Sequence, residues 1–247
     1  MIASAFPLAF AIISFIGGWT VYGLAIRDGH VCPFTDWARF VENCSTPGCC
    51  DKDKIPFVST VGARPTESSL FSAAASGCAF LMVIISILRY AYGLENRYPD
   101  FMNKCSLVAD FIAAAGIFTM GHCQVINIMV MHIIGVVVAF VFASFGAFFQ
   151  AMVPAHRFAA VRPFRILFCC LVIPIEIIYV SLYVQVKPNL LVISALFEWM
   201  ALGLYTMYYT SFAVELYDVT PRTLARLLPG IDSFRDDMSV LTPTQGS

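Results

Sequence analysis

The sequence predicts an all-α membrane protein, a six-transmembrane helix bundle with a disulfide-stapled extracellular first loop. Three observations lead there. Apolar residues make up 59% of the 247 and charged residues 13%, about half the roughly 25% usual in soluble domains. The apolar residues fall into runs of about 20, the length a helix needs to cross a hydrocarbon core of about 30 Å. Four of the nine cysteines, Cys32, Cys44, Cys49 and Cys50, lie in the one long polar stretch, residues 30–62.

Only helices and closed barrels satisfy their own backbone hydrogen bonds in lipid, and these runs are too long and uniform for barrel strands. The spans fall near 6–26, 70–92, 106–126, 131–153, 164–186 and 190–216. The first has no basic n-region and no small-x-small cleavage site after it, so it is expected to be a retained helix. Residues 106–153 form one almost uncharged stretch, far longer than a bilayer at about 1.5 Å per residue, and must fold back, with the turn expected at 127–130. The chain divides into a transmembrane domain, 1–217, with its first loop at 27–69, and a tail, 218–247.

Six spans put both termini on one side, and basic residues in short loops choose it. That side carries Arg89, Arg97, Lys104, Arg157, Arg162, Arg165, Arg222, Arg226 and Arg235, so it is read as cytosolic. The first loop has Arg27, Arg39, Lys52, Lys54 and Arg64, matched by Asp28, Asp36, Glu42, Asp51, Asp53 and Glu67. Its even set of cysteines points to an oxidising compartment. The sequon at Asn43 could be glycosylated only on that same side.

A loop of about 40 residues is too small to be held by a core alone. Adjacent Cys49 and Cys50 are poorly placed to bond each other. The expected pairing joins Cys32 to one of them and Cys44 to the other. Zinc is disfavoured, since no histidine stands among these cysteines at finger spacing.

The stretch 17–33, ending in His30-Val31-Cys32-Pro33, is followed by Gly48-Cys49-Cys50, then by residues 55–72 with Pro56, Ser59, Pro65 and Phe71. Together they resemble the transmembrane protein 150 branch of the damage-regulated autophagy modulator family. Gly121 and Gln124, the Glu198-Trp199 pair and Glu215 extend the resemblance over nearly the whole chain apart from the tail. His122 and Cys123 depart from the Asn-Phe usual in relatives. The resemblance implies six spans, cytosolic termini and an extracellular first loop.

Ionisable groups at membrane depth are costly and therefore candidate sites. They are Asp110, His122, His132, Glu176, Glu198 and Glu215. His122 and His132 flank the predicted outer turn as interfacial residues, and with Asp110 they make no H-E-x-x-H pattern. No G-x-S-x-G, G-x-x-x-x-G-K-[ST] or G-x-G-x-x-G occurs, so the sequence carries no enzyme signature, and neither a cofactor nor a metal is expected. Glu198 either lies a turn inside the core, with Gln185 or a backbone group as partner, or sits at headgroup depth. Glu176, after Pro174, is assigned a packing role. Small residues at 72–79, 113–121 and 143–147 allow close helix approach. Cys105, Cys169 and Cys170 stand near the cytosolic ends of their spans, as palmitoylated cysteines do, or as apolar packing. The basic residues at 162–165 and the Arg222/Arg226 pair are explained by orientation.

A net charge of −1 without a basic run excludes nucleic acid as a partner and leaves the lipid bilayer. The resemblance implies a non-enzymatic regulator or scaffold, one that modulates autophagy or recruits a phosphatidylinositol 4-kinase complex to the plasma membrane. Such a lipid-kinase complex would be reached through the C-terminal tail. The alternative is a component or modulator of a mechanosensitive ion channel, against which stand the missing carboxylate ring, repeat and paired broken helices. With no sorting signal in the tail, the plasma membrane is the expected location, with an endosomal or lysosomal pool.

Overall fold

The computed structural model describes residues 2–41, 50–153 and 161–227. Asn43, Cys44, Cys49, Arg157 and the tail beyond Leu227 lie outside them.

Six helices are long and apolar enough to cross a membrane: α1 (Ala5–Arg27), α3 (Glu67–Glu95), α4 (Asp100–His122), α5 (Met129–Met152), α6 (Val161–Tyr183) and α7 (Pro188–Leu216). Two short helices accompany them, α2 (Val58–Val61) in the first loop and α8 (Pro221–Ala225) after α7. The six spans are the expected six, with shifted ends. At 29 residues each, α3 and α7 run about 44 Å and overshoot the hydrocarbon core. α4 begins at Asp100, straight after Pro99, because proline starts a helix readily and cannot continue one. It ends at His122, so the α4–α5 turn falls at residues 123–128, earlier than 127–130.

The long helices pack in chain order around a ring. α1 lies against both α3 and α7, α3 against α4, α4 against α5, α5 against α6 and α6 against α7, and α3 also touches α7. The shared core joins Met82, Ile85, Ala113, Ala147, Phe168, Val172, Tyr208, Tyr209 and Phe212. Outward stand Phe15, Ile16, Val137 and Ile177, all exposed, as a lipid-facing surface requires. The closest approach is between α4 and α5. A Cβ on Gly116 would meet Ala139 N, and one on Gly135 would meet Met120 N, so the two backbones touch where only glycine leaves room.

α1 ends by a Schellman turn. Gly29 takes φ +71°, and the amides of Gly29 and His30 return to Ile26 O and Ala25 O, satisfying carbonyls the helix leaves open. The chain then enters a first loop clamped by a Cys32–Cys50 disulfide, one of the pairings the cysteine spacing allows. A two-residue parallel bridge pairs β1 (Phe40–Val41) with β2 (Cys50–Asp51). This loop is no freestanding ectodomain. Phe40, Cys50, Ile55 and Phe57 form one apolar cluster with Leu191, Val192 and Ala195 of α7. The bundle supplies the core that so short a segment lacks.

Candidate functional site

Polar side chains inside the bundle gather at two ends, which we call the loop end and the tail end, and in two smaller groups between them around Asp110 and Glu176. At the loop end the link is made by Glu198 and Trp199, adjacent on α7. Glu198 Oε2 accepts from the amide of Val58 at 2.7 Å, and the Ser59 amide also turns to this carboxylate. First-turn amides have no partner within their own helix, so Glu198 caps α2. Trp199 Nε1 donates to Pro56 O at 2.9 Å, and its indole stacks on Trp19 of α1, with ring centroids 5.3 Å apart. Glu198 is therefore buried, its partner is a backbone group, and Gln185 instead donates to Ser181 O.

Other predicted residues assemble around this latch. Phe71 fills the space beside Gly62, where a Cβ would collide with its ring. Ser72 donates to Gly121 O at 2.6 Å, and Gly121 packs against Ala75. Gln124 O accepts from the amides of Asn127 and Ile128 and so shapes the α4–α5 turn. Pro65 stays exposed, just before Thr66 at φ +82°. Next to the latch, His30 Nδ1 lies 2.6 Å from Glu67 Oε1, and Glu67 is fully buried.

The two membrane histidines part company. His122 is exposed and stacks on Phe118, as an interfacial residue does. His132, in the first turn of α5, is buried within the protein, with Nδ1 at 2.7 Å from Cys123 O and 3.1 Å from Met120 O. It draws off the last carbonyls of α4, which is why that helix stops before the predicted position.

At the tail end Glu215 lies between two arginines. Arg165 reaches it with both terminal nitrogens, at 2.7 and 3.3 Å. Arg89 Nε lies 2.9 Å from Glu215 Oε2, a charge contact out of line for a hydrogen bond, and its terminal nitrogens have no hydrogen-bond partner among the described residues. Aromatic faces complete their shells. Arg89 lies over Tyr98 and Tyr92, and Arg165 lies 4.5 Å from the Phe212 centroid. Burial pushes the Tyr98 hydroxyl up from its ordinary pKa, so it stays neutral beside the guanidinium. Deeper in the bundle, Asp110 accepts from Ser86 at 2.7 Å and Tyr209 at 3.0 Å. Glu176 accepts from Tyr205 and Ser144, which ties α6 to α7 and α5.

Composition alone marks Arg89 and Arg165 as orientation charges, whereas the fold makes them the counter-ions of Glu215. The missed signal lay in α7, where Tyr205, Tyr208, Tyr209, Phe212, Glu215 and Leu216 recur at three- and four-residue spacing. They form one buried face that carries a carboxylate and requires cations from its neighbours.

Of the candidate acylation sites, Cys170 is exposed, while Cys105 and Cys169 are half-buried. Cys105 borders an apolar groove between α4 and α5 walled by Phe101, Val108, Phe145 and Phe149. Among the described residues no three His, Cys, Asp or Glu side chains gather as a metal site. The geometry joins helices to one another and the first loop to the bundle.

The chain is 29% identical to human Transmembrane protein 150A over 238 residues, covering 90% of this chain and 86% of that protein. It is 34% identical to the mouse protein of the same name, over 54% of this chain and 52% of the mouse protein. With Modulator of macroautophagy TMEM150B-A of Xenopus laevis it shares 26% identity over 85% of both chains. No solved structure matches it significantly. Residues 2–219, nearly all of the part described, match the Frag1/DRAM/Sfk1/Cwh43P N-terminal domain, and the chain belongs to that family.

Proposed function

We propose that this protein is a non-enzymatic multi-pass membrane regulator or scaffold. It modulates macroautophagy, or recruits a phosphatidylinositol 4-kinase complex to the plasma membrane, from a cytosolic face made of the short loops and residues 218–247. The observation that carries the proposal is likeness along almost the whole chain to proteins named for these spans and for macroautophagy.

The geometry supports a scaffold. The carboxylates of Asp110, Glu176, Glu198 and Glu215 are occupied with hydroxyls, amides and guanidiniums, and each joins elements distant in sequence. At the start of the tail, Thr220 and Thr223 cap α8 reciprocally, and Thr223 donates to Glu95 Oε2 of α3 at 2.6 Å. These contacts tie the described start of the tail to α3. Palmitoylation at Cys105, Cys169 or Cys170 would add lipid anchorage on the same face.

The test is depletion and re-expression in cells, reading autophagosome turnover and plasma-membrane phosphatidylinositol 4-phosphate in parallel. A change in either that is restored by the full chain, and not by a chain ending at 217, supports the proposal. Unchanged readouts on depletion contradict it.

A further inference from the structure

Between α1, α3, α4, α5 and α7 lies an apolar cavity of about 110 Å³, walled by Phe10, Gly17, Gly18, Ala74, Phe140 and Leu202 among others. Its walls extend along α1 from Phe10 to Val21, about 16 Å at the helical rise, so the space is long and narrow. Toward the loop end a second cavity of about 40 Å³ adjoins it, sharing Val58, Phe71, Met120, Phe140 and Leu202 as walls. Three polar residues line the smaller one, His132, Glu198 and Ser59.

His132 fixes what this end would accept. Both neighbours of Nδ1 are carbonyl oxygens, so Nδ1 carries the proton and Nε2 presents a lone pair. His132 is 3% exposed, and Nε2 has no hydrogen-bond partner among the described residues. A buried acceptor left unmatched is costly, and His132 is part of the wall of this cavity. Its complement is a neutral donor. A carboxylate or phosphate could only accept and would meet Glu198 as a like charge. An ammonium would bring in a further buried charge to be paired.

We propose that the joined cavities bind a hydroxyl-bearing lipid, the hydroxyl donating to His132 Nε2 and the adjoining apolar part entering the space beside Gly17 and Gly18. The combined volume is close to the roughly 150 Å³ that admits one benzene ring. The walls therefore enclose a short length of chain or a single ring, and the rest of the lipid lies outside. The narrow shape suits an alkyl chain, as in a monoacylglycerol; a sterol offers the same hydroxyl chemistry.

The full-length protein in nanodiscs would be labelled with a photoreactive long-chain alcohol and with the matched alkane, and the modified peptides mapped. Saturable labelling of α1 or α7 peptides near Gly18 and Leu202, tighter for the alcohol, is expected. His132→Asn keeps a donor for the α4 carbonyls and removes the acceptor from the Nε2 position, which its shorter amide cannot reach, so it should weaken the alcohol about five- to tenfold and leave the alkane unchanged. Gly18→Leu, filling the cavity where a Cβ has room, should abolish both, with unfolding temperature as the folding control. Displacement by monoacylglycerol assigns the site to an acyl alcohol, and displacement by cholesterol alone assigns it to a sterol. Equal affinity for alcohol and alkane in the unmodified protein, or no saturable labelling, would overturn the proposal.

Discussion

Glu215 holds two guanidiniums at the tail end of the bundle, and its removal would leave both buried without their carboxylate. Breaking a buried pair from one side costs about 3–5 kcal/mol. Glu215→Ala should lower stability by that order, measured as the loss of thermal stability and of folded yield in detergent. Arg165→Lys should recover little of an Arg165→Ala loss, since a lysine cannot make the two-pronged contact. At the loop end the carboxylate of Glu198 serves amides, so shape and acceptor matter more than charge. Glu198→Gln should be mild, and Glu198→Leu should cost about 1–3 kcal/mol by stranding the α2 amides; the two are separated by protease sensitivity of the first loop. The Glu198-Trp199 pair and Glu215 were recognisable in the sequence, because acidic side chains in apolar runs are conspicuous. Their partners were not. The Val58 amide is 140 positions away and Arg165 is 50 positions away, and no local periodicity encodes such distances.

Helices were legible as elements because the composition of each span allows nothing else in lipid, while their ends answered to contacts the sequence does not display. α4 stops at His122 since His132, ten residues on, takes its carbonyls. The first loop was legible as cysteine-clamped, while its packing on α7 was not, since the apolar surface beneath Phe57 belongs to a helix far along the chain. Two predictions follow at this scale. Gly116→Val and Gly135→Val should each disrupt the α4–α5 pair, where a Cβ would strike backbone atoms, and should cost at least the 1–3 kcal/mol of overpacking. Removing the Cys32–Cys50 bond, which spans 18 residues, should cost about 3 kcal/mol. Cys32→Ser and Cys50→Ser should lose equal amounts, each read as reduced resistance to denaturant.

As a whole, the molecule is a ring of six helices locked at the loop end by Glu198 and Trp199 and at the tail end by Glu215, with an apolar cavity between them. That arrangement suits a component which holds its shape in the membrane, with α8 tied to α3 through Thr223 and Glu95. Its expected orientation follows from the nine basic residues assigned to one face. With that face cytosolic, the expected result is a mobility shift that glycosidase and Asn43→Gln both remove; no shift would leave the first loop's side unsupported by this test. The functional claim assigns partner contact to residues 218–247 and is tested most directly by proximity labelling from a C-terminal tag in intact cells, with deletion of that segment as the comparison. The account predicts recovery of a lipid-kinase or autophagy complex that disappears with the deletion. Recovery of neighbouring membrane proteins alone, unchanged by the deletion, would contradict it.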